Sequence, residues 1–99
     1  MKRKLRFKFK ISENDVKAQI KDYLTIKGWF WFYNLQSIGS YGGIPDFIAI
    51  KNGRTIYIEA KKPSGTQSPD QINFEWNIKH QKGEYYLIDC LEDLIKIIG

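Results

Sequence analysis

Gly43-Ile44-Pro45-Asp46-Phe47-Ile48-Ala49-Ile50-Lys51-Asn52-Gly53-Arg54-Thr55-Ile56-Tyr57-Ile58-Glu59-Ala60-Lys61 is the stretch on which the fold turns. Two largely apolar runs, Pro45 to Ile50 and Thr55 to Ala60, flank Lys51-Asn52-Gly53-Arg54. Asn-Gly between such runs is the strongest short-range hairpin signal, because a type I′ turn needs positive φ at both central residues. With Asn52 and Gly53 as the turn, paired positions sum to 105 (52 plus 53), so Asp46 lies directly opposite Glu59. Side chains alternate along a strand, and Lys61 therefore shares the face of Glu59. Apolar residues on both faces place this hairpin in the interior of its sheet.

Working outward, Ser12 is an N-cap, with Glu13 and Asp15 in a first turn where acids favour the helix dipole. Val16, Ile20, Tyr23 and Leu24 recur at helical spacing and Gly28 stops the run, which predicts a helix over about 13 to 27. Residues 29 to 35 are mostly aromatic and read as a buried strand. Gln36 to Ile44 form a loop containing Gly39, Gly42 and Gly43. After a second loop, Ser68-Pro69-Asp70-Gln71 opens another helix with an N-cap, a first-position proline and a glutamine three after the cap. Lys82-Gly83 ends it, Glu84 to Ile88 form a fourth strand, and a short terminal helix turns Leu91, Leu94, Ile95 and Ile98 inward. The order is α-β-β-β-α-β-α, an α/β sandwich.

Ninety-nine residues with 42% hydrophobic, 27% charged and 15% aromatic content describe a globular chain, not a disordered one. The single cysteine, Cys90, excludes an internal disulfide framework and a cysteine-cluster zinc site, and the single histidine, His80, excludes a His-rich metal centre. The longest apolar run, Trp29 to Tyr33, is far short of a membrane span, and no apolar signal segment opens the chain. The expectation is a soluble, cytoplasmic protein, compatible with a phage or prophage origin. Of the sixteen Lys and Arg, six fall in the first ten residues, leaving ten against eleven acids. All of the +5 net charge thus sits in a basic arm, residues 1–11, ahead of a single domain, 12–99. The arm alternates from Lys4 to Ile11, the period of a strand with one basic face. It suits a polyanion, whose counterions it would release, or serves as a solubilising tail.

Opposed carboxylates on central strands have Cβ atoms ~5 Å apart and repel. Burial makes the pair costlier still unless something neutralises it. A divalent cation does so with the oxygen ligands hard metals prefer, and a bound ion can activate water at a phosphate. Lys61 adds a cation suited to orienting that water or stabilising the developing charge. The plainer alternative is a cross-strand Lys–Glu pair with Asp46 merely opening its strand.

Pro45-Asp46, twelve residues, then Glu59-Ala60-Lys61 resembles the signature of the PD-(D/E)xK nuclease superfamily. Gly43-Ile44-Pro45-Asp46-Phe47 is similar to the G-x-P-D segment of its VRR-NUC branch, and Ile58-Glu59-Ala60-Lys61 to its E-x-K strand. Thr66-Gln67-Ser68-Pro69-Asp70-Gln71 resembles the segment that opens the following helix, so the likeness runs from about residue 12 to 88. This resemblance implies a restriction-endonuclease-like fold, akin to archaeal Holliday-junction resolvases, with a central mixed sheet flanked by helices. It implies Mg²⁺ or Mn²⁺ held by Asp46, Glu59, the Ala60 carbonyl and an acid of the first helix. Glu13 is the candidate there, beside the alternatives that it only compensates the dipole or that Asp15 serves; Gln19 could reach the pocket edge. Gln71 closes its capping box or contacts the lysine or the water at the metal.

The resulting expectation is a metal-dependent DNA endonuclease, Holliday-junction-like in substrate and linked to DNA repair. Asp46 and Glu59 hold the metal, Glu13 helps, and Lys61 assists the nucleophile. Symmetric cutting of a four-way junction requires two active sites and hence a homodimer. Its rivals are a nuclease fold that binds nucleic acid without cutting it, and a sequence-specific restriction-type endonuclease. Lesser signals have plain readings. The glycine loop admits a phosphate backbone or is a connector, and Tyr41 stacks on a base or is simply exposed. Trp29, Trp31 and Phe32 belong to a core or an interface, Cys90 is a small buried hydrophobe, and His80 a surface residue favourable to the helix dipole.

Overall fold

The computed structural model describes residues 11–34 and 41–99; the basic segment at 1–10, Leu35 and Gly39 lie outside them. Seven elements follow in order: α1 (Glu13–Ile26), β1 (Phe30–Tyr33), β2 (Phe47–Lys51), β3 (Arg54–Ala60), α2 (Pro69–His80), β4 (Glu84–Ile88) and α3 (Leu91–Ile98). The strands form one mixed sheet in the order β1-β2-β3-β4, antiparallel except for the parallel β3–β4 pair. The β2–β3 hairpin is central.

Its turn explains its register. Asn52 and Gly53 both have positive φ, 51° and 81°, as a type I′ turn requires. Pairs then run from Lys51↔Arg54 to Phe47↔Ile58, and the next step brings Asp46 opposite Glu59. α1 starts where Ser12 accepts from the Asp15 N–H at 3.0 Å while the Asp15 carboxylate accepts from the Ser12 N–H at 2.8 Å. One stripe of this helix, Val16, Ile20 and Leu24, is buried against Phe47, Ala49, Ile56, Ile58 and Ala60 of the sheet and Leu94 of α3. α2 covers the opposite face through Phe74, whose ring meets Tyr57 at 6.1 Å and Tyr85 at 6.4 Å. No helix among the described residues is long and apolar enough to cross a membrane.

Three expectations need correction. The aromatic strand is not buried: β1 lies at the end of the strand order, and Phe30 and Phe32 are 65% and 44% exposed. Its other face is covered, with Trp31 and Tyr33 meeting Phe47 edge-on at 5.7 and 5.1 Å. Trp29 precedes the strand and is buried, its N–H donating to Leu24 as the chain leaves α1. In α3, Leu94 is fully buried but Ile95 is 40% exposed, while Ile97 joins Leu91 and Ile98 against the core. Eight residues make barely two turns, so a small rotation of the helix decides which isoleucine is covered. Cys90 is only half-buried, at the N-cap position of α3, where it makes no side-chain capping bond. His80 is exposed and stacks on Trp76, with ring centroids 4.6 Å apart.

Candidate metal and phosphate site

The site lies at one end of the sheet, where β3 ends and β2 begins, and both helical layers reach it. Asp46 precedes β2, and its Oδ2 accepts from the Ala60 N–H at 2.9 Å while its own carbonyl accepts from the Asn34 N–H at 2.7 Å. Its backbone is thus held by the residue after β1 and its carboxylate by the end of β3. Glu59 is 2% exposed, and one of its oxygens, Oε2, accepts from Gln71 Nε2 at 2.9 Å. The other, Oε1, is buried without a hydrogen-bond partner. Lys61 Nζ stands 4.0 Å from Glu59 Oε2.

Electrostatics follow from this placement. Burial first, and then the charge of Asp46, push the Glu59 carboxyl up to about 8. Asp46 is raised too, by burial, although the Ala60 N–H and the Lys17 charge pull the other way. Burial and the neighbouring charge thus both favour the neutral form of Glu59 when no metal is bound. A divalent cation would remove the conflict, because the buried oxygen without a partner is a free ligand and a second carboxylate stands across the hairpin. These residues fit such an ion.

Gln71 closes the capping box weighed for it, and its other contact is with Glu59, not with the lysine. Its Oε1 accepts from the Ser68 N–H at 2.8 Å and its backbone N–H donates to Ser68 Oγ at 3.2 Å, closing the capping box. The amide nitrogen at the other end of the same side chain remains for Glu59. The preceding segment is anchored as well: Gln67 Nε2 donates to Glu75 at 3.0 Å and to the Tyr85 hydroxyl at 3.3 Å. Tyr85 is buried, which pushes its hydroxyl up to about 12.

Glu13 lies near this end but does not close on the hairpin acids. Its carboxylate pairs with Lys17 at 3.3 Å, and Lys17 in turn stands 3.7 Å from Asp46 Oδ1. Asp15 is spent on the cap of α1. Among the described residues, the group whose ligand atoms lie within 4.8 Å of one another is Asp89, Cys90 and Asp93, not Glu13, Asp46 and Glu59. Gln19 lines a separate hollow with Ile11, Pro63 and residues 89 to 92. Lys17 escaped sequence reading; its one signal was its position four residues after Glu13, on the same side of the helix.

Gly42 and Gly43 of the loop serve an internal approach. Gly43 has φ 81°, and a Cβ there would run into the Asp70 carbonyl, while one on Gly42 would come 2.7 Å from the Asp70 carboxylate. The loop leading to Asp46 is thus pressed on the first turn of α2, the turn that carries Gln71. Tyr41 is 59% exposed with its ring edge on Phe74 at 5.9 Å.

No protein-family model matches the chain, and no curated protein matches it in sequence. Among solved structures it is similar to one described as a VRR_NUC domain, with a TM-score of 0.75 and 18% identity over 87% of this chain and 92% of that one. The chain has the fold of a VRR_NUC domain, an α/β fold in the order α-β-β-β-α-β-α.

Proposed function

We propose that this protein is a divalent-metal-dependent DNA endonuclease that hydrolyses phosphodiester bonds, with branched DNA such as a four-way junction as its preferred substrate. The observation that carries the reading is the buried, partnerless oxygen of Glu59 across the hairpin from Asp46, with Lys61 alongside. Opposed acids of this kind are a cost to folding, and a binding module has no use for them. The VRR_NUC-like fold supports the same reading.

Asp46, Glu59 and the Ala60 carbonyl would hold Mg²⁺ or Mn²⁺, with Glu13 from α1 able to join them. When bound, such an ion supplies neutralising charge at the phosphate and an activated water. Around it the chain's own groups have separate tasks. The Ala60 N–H orients Asp46, Gln71 orients Glu59, and the Lys61 ammonium holds the attacking water or offsets charge developing on the phosphate. Two such sites in a homodimer would cut a two-fold junction symmetrically.

The test uses labelled four-way, flap and linear DNA with the purified chain, with and without Mg²⁺ or Mn²⁺. Asp46→Asn should reduce metal-dependent cleavage at least ~1,000-fold, in line with losing a principal charge at a reacting centre. Near wild-type cleavage by that variant would sink the assignment.

A further inference from the structure

Each hairpin acid has its own ammonium. Lys61 stands by Glu59 at 4.0 Å, and Lys17 by Asp46 at 3.7 Å. The two lysines differ in what they rest on. Lys61 extends from the end of β3, whereas Lys17 comes from α1, bridging Asp46 and Glu13 with only 18% of its side chain exposed. Its ammonium also lies 5.4 Å from the centre of the Tyr33 ring, and Lys21 approaches the same ring at 5.1 Å. A cation thus already stands against the carboxylates of Asp46 and Glu13, and a second, divalent charge on the same carboxylates would repel it. The lysine stem is a flexible four-carbon chain, so its charge can move while α1 stays fixed.

We propose that Lys17 is a displaceable internal cation that holds Asp46 and Glu13 in the metal-free protein and turns to a non-bridging phosphate oxygen of the substrate once a divalent ion takes the carboxylates. This rests on the reading of Asp46 as a metal ligand. In the metal-free state Lys17 offsets the acid cluster and so competes with the metal. In the loaded state its ammonium becomes a phosphate-positioning group, beside the Lys61 that faces Glu59. Lys17 therefore weakens metal binding and strengthens substrate binding.

The experiment is Mn²⁺ titration calorimetry on the full chain, with steady-state cleavage of a four-way junction run in parallel. Lys17→Met should bind Mn²⁺ about 5- to 10-fold more tightly, a coupling of ordinary size between two ligands of one site. The same variant should raise KM for DNA about tenfold while kcat stays within about threefold. A lysine that merely braces α1 would leave metal affinity unchanged or lower it, and either result overturns the proposal, as does an unchanged KM. If Lys17→Met does not fold, Lys17→Gln keeps a donor for Asp46 without the charge and should show the same tightening. Asp46→Asn is the control for the reading beneath: if it binds Mn²⁺ as well as wild type, the metal assignment itself fails, whatever Lys17 does.

Discussion

The two ends of the central sheet treat their charges in opposite ways. At the turn end, Arg54 opens β3 and forms a two-pronged bond with Glu84 of β4, its Nε and Nη2 donating at 2.7 to 3.2 Å, while the Tyr86 hydroxyl adds a bond at 2.6 Å. The Arg54 hydrogen bonds, first among these, hold the Glu84 carboxyl below the usual carboxylate range. At the other end of the same strand, Glu59 is buried with an oxygen unpaired and is held far above that range. Both ends carry a glutamate, but only Glu84 has both carboxylate oxygens hydrogen-bonded. A buried carboxyl with an oxygen left without a partner is costly, and the proposed metal would answer it at the open end.

Substitutions at each end test that contrast, and the largest effect should come from the loop that holds the open end together. Gly43→Ala places a methyl against the Asp70 carbonyl at a residue whose φ is already 81°. Stability should fall by about 3 kcal/mol or more, measured by urea unfolding, and metal affinity should fall with it because Gln71 shifts off Glu59. A Gly43→Ala protein as stable as wild type would mean that the loop does not bear on α2.

A smaller effect, opposite in sign, should follow from Glu59→Gln in the metal-free protein. Its folded carboxyl holds a proton up to about 8, well above the ordinary 4.5. Between those values the folded state binds more protons than the unfolded one, so wild-type stability is full below about pH 4.5 and declines as pH rises through 8. Glu59→Gln removes that decline and should melt roughly 10 °C above wild type at pH 9, with little difference at pH 4. Parallel melting curves for the two proteins across that range would show Glu59 to be ordinary. The smallest effect belongs to the closed end. Arg54→Ala breaks an ion pair whose arginine side chain is 40% exposed, so chemical denaturation should show a loss of less than about 1 kcal/mol, with cleavage unchanged.

Much of the closed end and half of the open one were legible in the residues. Asn52-Gly53 dictated the turn, and the turn dictated the register that opposes Asp46 to Glu59. Ser12 and Ser68 marked the starts of α1 and α2, and each cap formed with the residue three positions on. The exposure of Phe30 and Phe32 was not legible, because an aromatic run has the same pattern on an edge strand as in a covered one. Nor was the position of Lys17, which on α1 alone is only the partner of Glu13 one turn away.

Local chemistry thus determined the hairpin, its register, the capped helices and the presence of an acid pair with a lysine, since these depend on turn conformation and on alternation over a few residues. Which groups answer each acid was decided by packing. α1 lies on one face of the sheet and α2 reaches the other, so Lys17 meets Asp46 across 29 positions of sequence and Gln71 meets Glu59 across twelve. Such contacts depend on where the buried stripe of α1 and the Phe74 face of α2 seat each helix against the sheet, and no periodicity within either segment encodes that.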